Sequence, residues 1–226
     1  MSIRHDSDGP HRTGDQLARA PEYPAANGGA PPSMRDAIAR KARESAAIKL
    51  QFFADNADLL ERCAHAMAGR FRSGGRLWVM GNGGSACDAQ HVAVEFMHPI
   101  VEKRPPLPAT ALTVDTATLT AIGNDTDFAY VFLDQLDLLA RPEDIALGIS
   151  TSGASANVNR ALQRARELGL LTIGFAGRDG ARMPELCDHC FTVQSWSIHR
   201  VQETHTALLH LLWDLTHVSL GEDDVL

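Results

Sequence analysis

At 226 residues, 44% hydrophobic and 22% charged, the chain is long enough to bury a core and ordinary in composition for one globular domain. A net charge of −7 argues against a general affinity for nucleic acid, so an anionic ligand would need a local cradle. No apolar run approaches the roughly eighteen residues of a membrane span, and the N-terminus has no apolar signal core; no membrane partner and a cytoplasmic location are expected.

Residues 1–33 are dense in Pro, Gly, Asp, Arg and Ala and are expected to form a disordered tail. The remaining 34–226 read as one domain. Ser33 is placed to cap a helix beginning near Met34, with Ile38, Ala42, Ala46, Leu50 and Phe53 at helical spacing. A second helix is expected after Asp58, through Leu59, Leu60, Cys63, Met67 and Phe71, giving an N-terminal helical hairpin. Its broad apolar faces suit packing on another subunit as well as on a sheet.

From there strands and helices alternate. Strands are expected at Leu77–Met80, Pro108–Val114, Ile145–Thr151, Leu171–Ala176 and Phe191–Val193. Between them lie helical stretches at Ala86–Met97, Ala117–Ile122, Tyr130–Leu139 and Ala156–Leu168, and a short turn at Met183–Leu186. A long helix, Val201–Leu220, closes the chain. This alternation predicts an α/β fold with a parallel sheet, whose ligand sites lie beyond the strands' carboxyl ends.

Two loops fall there. The first strand runs into Gly81, Asn82, Gly83, Gly84 and Ser85 and then into a helix start. Glycines let the backbone approach a ligand, and the free N–H groups of a helix start attract negative charge. The stretch is neither GxGxxG nor a Walker motif. Its helix carries His91 and Glu95, four apart and on one face. A phosphate cradle beside a His/Glu pair points to an enzyme acting on a small phosphorylated molecule. The second loop, Ser150, Thr151, Ser152, Gly153, Ala154 and Ser155, offers four hydroxyls where one would cap the helix that follows. A phosphate site is the reading for it.

Cys187 and Cys190 form a single CxxC at the mouth of the fifth strand; structural thiols are the commoner reading, with metal or redox chemistry the alternative. The last helix carries Gln202, Glu203, His205 and His210 in a leucine-rich stretch. A lone helical His is more often a core or surface residue. Joined with His91 and Glu95, however, Gln202 and His210 would complete a set fit for Zn²⁺, if two helices distant in sequence meet.

Several motifs in order resemble a known family. GNGGSA at 81–86, AQH at 89–91 with Glu95, PATALTVDTATLTAIGND at 108–125, STSGAS at 150–155 and VQETHTALLHLLWDL at 201–215 are similar to the sugar-isomerase (SIS) domain. The combination resembles the phosphoheptose isomerases, which act on sedoheptulose 7-phosphate. The resemblance spans residues 34–220. It implies a flavodoxin-like five-stranded parallel sheet flanked by helices, and a homotetramer with active sites at subunit interfaces. It implies substrate contacts from Asn82, Gly83, Gly84, Ser85, Glu95, Asn124, Asp125, Ser150, Thr151, Ser152, Ser155 and Gln202. His91, Glu95, Gln202 and His210 match its zinc set, and Glu95 and His210 its acid/base pair.

Two stretches depart from the pattern. Phe96-Met97-His98-Pro99-Ile100 stands where many heptose isomerases have Gly-Arg-aromatic, which leaves Lys103 or Arg104 as substitute cations. Thr126-Asp127-Phe128-Ala129-Tyr130 is also looser than usual. The alternatives are a non-catalytic SIS protein that senses a sugar phosphate or binds a regulatory protein, and an isomerase or lyase for another phosphosugar. The presence of Glu95, Gln202 and His210 favours the enzyme.

Overall fold

A computed structural model of the chain describes residues 33–100 and 104–224. The expected tail, but for Ser33, and Lys103 lie outside these. Five strands, β1 (Leu77–Gly81), β2 (Ala109–Ala111), β3 (Ile145–Ser150), β4 (Leu171–Gly177) and β5 (His189–Val193), form one sheet in the order β2-β1-β3-β4-β5. Every pairing is parallel. The helices are α1 (Met34–Arg72), α2 (Gly84–Met97), α3 (Thr116–Asp125), α4 (Leu133–Leu139), α5 (Ala156–Glu167), α6 (Met183–Leu186) and α7 (Ile198–Leu220). This is the flavodoxin-like strand order.

Both sheet faces are covered, which is why the strands read as apolar runs. Leu77, Val79, Leu147, Ile149, Ile173 and Phe175 share one core with α1, α2 and α7. The alternate residues Trp78, Met80, Ala146 and Ala176 face the other, with α4 and α5. Gly148 lets α5 sit close, because a Cβ there would lie 2.7 Å from atoms of Val158 and Leu162.

The N-terminal helical hairpin is corrected to one helix of 39 residues. Ser33 caps it as expected, accepting from the Asp36 amide at 3.2 Å. Asp58 is an interior residue rather than a cap. No Gly or Pro interrupts 54–58, and the Asn56 side chain bonds the Phe52 carbonyl within the helix at 2.8 Å. The helix turns its core-facing stripe inward from Phe52 onward. The second strand is shorter than expected, since Asp115 caps α3 by accepting from the Thr118 amide and draws the chain out of the sheet. The stretch Tyr130–Leu139 divides into a 3-10 turn at Phe128–Tyr130 and α4.

Arg104 does not replace the missing cation of the substrate site. It is buried, its Nη1 lies 2.6 Å from Asp214 Oδ1 on α7, and its Nη2 donates to the Asp223 carbonyl. The chain leaves β1 toward β2 on one side and returns to β3 on the other. The crevice beyond the carboxyl ends of β1 and β3 is therefore the switch point where such sheets bind ligands.

Candidate active site

Both predicted loops open on this crevice. β1 ends at Gly81, which Ser85 crowds: a Cβ on residue 81 would lie 2.4 Å from the Ser85 carbonyl oxygen. Gly83 has φ of 56° and caps α2 without a side-chain bond. Ser85 is buried under the turn. Asn82 reaches across to the other loop. Its amide exchanges two hydrogen bonds of 2.8 Å with the amide of Asn157 in the first turn of α5. Asn157 also accepts from the Val158 amide. It belongs to the site's frame and was not among the expected site residues; its place two residues after the serine loop was the signal.

In the second loop the hydroxyls converge. Ser150 Oγ lies 2.9 Å from Ser155 Oγ and 3.4 Å from Ser152 Oγ. Ser155 stands at the N-cap of α5, yet its side chain makes no capping bond. Its hydroxyl turns toward its neighbours, so the cap reading does not account for this loop. Gly153 has φ of 65°, and a Cβ there would meet the Gly180 carbonyl oxygen at 2.0 Å. The loop after β4 thus braces the serine loop from behind. Thr151 is half-buried beside it.

The two distant helices do meet. His91 Nε2 donates to Glu95 Oε1 at 3.2 Å along α2, and His210 Nε2 of α7 lies 3.9 Å from the same oxygen. The two imidazoles stand edge to face with centroids 4.8 Å apart. One ligand atom from each of His91, Glu95 and His210 falls within 4.8 Å of the others. Their side chains are 36%, 25% and 44% exposed, open enough for a substrate to reach. Two imidazoles and a carboxylate with open positions suit a catalytic divalent metal, zinc among them. Gln202 lies next to Gly84: a Cβ at residue 84 would be 2.1 Å from Gln202 Nε2. Gln202 therefore touches the glycine turn at the start of α2, while His210 meets the end that bears Glu95.

Other residues of the last helix have structural tasks. His205 is fully buried, and its Nε2 donates to the Ala176 carbonyl at 3.0 Å. Burial pushes its pKa down to about 4. Glu203 turns to Ser45 and Arg200. Asn124 and Asp125 end α3, exposed and bonded to each other at 2.7 Å, with no hydrogen bond to the other expected site residues. Asp88, one turn before His91, was not foreseen. One of its oxygens is buried without a partner; burial pushes its pKa up, and His91 opposes this. Its i, i+3 spacing to His91 was the available signal.

Comparison with known proteins agrees with this geometry. Residues 42–177 match the SIS domain family. The chain is 49% identical over 185 residues to a phosphoheptose isomerase from Solidesulfovibrio magneticus, covering 82% of this chain and 90% of that one. It is 42% identical to the phosphoheptose isomerase of Aquifex aeolicus, covering 84% and 99%. Among solved structures, a phosphoheptose isomerase from Francisella tularensis superposes with a TM-score of 0.78 at 33% identity, covering 83% of this chain and all of that one. One from Neisseria gonorrhoeae gives 0.75 at 36%, covering 80% and 97%. The chain belongs to the SIS-domain family and, within it, to the phosphoheptose isomerases.

Proposed function

We propose that the chain interconverts sedoheptulose 7-phosphate and D-glycero-D-manno-heptose 7-phosphate by moving a proton between C1 and C2 through an enediol. The observation that carries this reading is the meeting of His91, Glu95 and His210 where α2 faces α7, in a chain that also gathers the serine-loop hydroxyls. Ser150, Thr151, Ser152 and Ser155, with the start of α5, hold the phosphate. On a chain of net charge −7, this neutral cradle is what lets an anion settle. Asn82, Gly83, Gly84 and Ser85 line the turn against which the sugar lies, and Gln202 orients it from α7. Asn124 and Asp125 supply a second pair of substrate contacts.

The Glu95 carboxylate takes the proton from one carbon and returns it to the next; His210 serves the oxygens. His91, Glu95 and His210, with Gln202 beside them, would hold a divalent metal, zinc by preference. When bound, the metal polarises the sugar carbonyl. Glu95 and His210 then have overlapping roles, as ligands and as proton carriers.

The active form is proposed to be a cytoplasmic homotetramer with its sites at subunit interfaces. Exposed Met34, Ile38 and Leu50 on α1 and Val94 and Met97 on α2 offer apolar surface for partner subunits. All four cysteines are free, as suits a reducing compartment, and no helix among the described residues is long and apolar enough to cross a membrane.

The test is ¹H NMR of sedoheptulose 7-phosphate in D₂O with Zn²⁺-supplemented protein, beside Glu95→Gln. An aldose anomeric signal from the parent, slowed about 10²–10⁴-fold in the variant, is expected. No turnover by folded, metal-loaded protein refutes the substrate, and a panel of other phosphosugars then finds the right one.

A further inference from the structure

The CxxC is unused by the isomerase site, and its geometry is specific. Gly174 of β4 pairs with Cys190 of β5 across the sheet. Gly174 has no side chain, and Met183 and Cys187 share the gap, Met183 Cγ 2.8 Å and Cys187 Sγ 2.9 Å from where a Cβ would stand. Cys190 has the register of that gap, so the two sulfurs come together on one sheet face, packed against the same buried cluster.

The bend that brings them together is fixed. Thr172 donates through its amide and its hydroxyl to Asp188 Oδ2, both at 2.9 Å, and Asp188 N donates back to the Thr172 carbonyl at 3.0 Å. The pair is also reachable. β5 is an edge strand, and both thiols are free and partly exposed.

A metal fits this pair poorly. His189 precedes Cys190 in the strand and so faces the other way. Among the described residues, only His91, Glu95 and His210 gather three ligating groups. Two neighbouring thiols, with no third ligand, suit disulfide chemistry instead.

We propose that Cys187 and Cys190 are a reversible dithiol switch, Cys190 attacking a small-molecule disulfide and Cys187 resolving the adduct. In the first step the Cys190 thiolate attacks one sulfur of glutathione disulfide. The S–S bond breaks and one glutathione thiolate leaves. In the second, Cys187 gives its proton to water and its sulfur attacks Cys190 Sγ, expelling the second glutathione thiolate. The protein pair loses two electrons and the small disulfide gains them. The order follows from the surroundings: the neighbouring Cys190 and burial push the Cys187 thiol up, while the neighbouring Cys187 and the Thr192 hydroxyl, 3.9 Å from Cys190 Sγ, hold Cys190 down. Cys63 is buried and Cys87 has no thiol neighbour, so neither can do the same.

The experiment incubates the full-length, folded protein with glutathione disulfide, in a Cys87→Ser background that removes the other exposed thiol. The protein is then denatured, alkylated and cut with trypsin. Peptide Met183–Arg200 carries both cysteines and no other. It should appear two hydrogens lighter and unalkylated, and dithiothreitol should reverse this. Cys187→Ser should instead accumulate glutathione on Cys190, about ten times faster than Cys190→Ser accumulates it on Cys187. A doubly alkylated parental peptide overturns the proposal. So does a stable glutathione adduct on that peptide, or equal rates in the two variants.

Discussion

Replacing Gly84 by alanine tests whether Gln202 works as part of the site. The new Cβ would stand 2.1 Å from Gln202 Nε2 and 3.2 Å from its Cδ, and the third-nearest atom is Oε1 of the same side chain, at 3.6 Å. A flexible amide can rotate away, so α2 need not move. Gly84 is the first residue of α2, where alanine contributes up to about 1 kcal/mol over glycine. That offsets the lost amide contact, and stability should stay within about 1 kcal/mol of the parent. Activity should not. A displaced supporting group commonly lowers activity about 10–100-fold, which is about 1.4–2.7 kcal/mol of transition-state stabilisation. The assay is kcat/KM for the isomerisation, with urea denaturation alongside, for Gly84→Ala, Gln202→Ala and the double variant. The singles should lose similar amounts, and the double should be no worse than the weaker single. Full activity in Gly84→Ala, or losses that add, would refute the idea that Gln202 acts from its position against the turn. Gly153→Ala supplies the contrast. Its Cβ would strike the Gly180 carbonyl at φ of 65°, where neither partner can rotate away, so stability should fall by about 2 kcal/mol or more along with activity.

Three further outcomes are expected. Stripping the protein with a chelator should abolish turnover, and His91→Ala or His210→Ala should weaken Zn²⁺ binding about 10²-fold or more in titration calorimetry, because each removes one of three converging ligands. His205, ordinarily near 6.5 and held near 4 by burial, stays neutral in the fold while the unfolded chain takes up a proton. Its contribution is therefore complete above about pH 6.5 and is lost as pH falls toward 4, by about 3 kcal/mol in total. Urea titrations from pH 7.5 to 4.5 should show a shallower decline for His205→Gln than for the parent. Asp144 is buried and accepts from the Arg76 and Arg141 amides and from Trp78 Nε1, each within 2.9 Å. Asp144→Ala leaves three donors unpaired and should lower stability by about 3–5 kcal/mol in a thermal melt, while the remaining folded protein keeps its kcat.

Strand and helix order, the two loops and the parallel sheet were legible because each rests on local pattern: apolar runs, glycine turns and cap residues. What was misread depended on distant contacts. Residues 54–58 carry Asp and Asn, which read as a break, but only packing decides whether a helix continues through them. Arg104, a candidate for the phosphate, is committed to Asp214, 110 positions on, and no local pattern encodes that pairing. Asn82 and Asn157 stand 75 positions apart, and their amide exchange exists only once β1 and β3 are neighbours.

The meeting of His91 and Glu95 with His210 belongs to the same class, yet it follows from features each helix shows alone. α2 buries Ala89, Val92, Ala93 and Phe96, and α7 buries Leu208, Leu209 and Leu212, all in one core. Those stripes fix how the helices rotate and slide against each other, because the apolar atoms must interdigitate. Once they lock, the residues bordering each stripe are brought to one seam at its solvent edge. On α2 the border carries Asp88, His91 and Glu95; on α7 it carries Gln202 and His210. The seam runs from the glycine turn, where Gln202 meets Gly84, along α2 to Glu95, where His210 meets it. The leucines of the last helix thus set the spacing of the ligand cluster as much as the histidines do. Exchanging Leu209 for a residue of different volume should change Zn²⁺ affinity without touching a ligand, and an unchanged affinity in a folded Leu209→Ala variant would show that the seam is held from elsewhere.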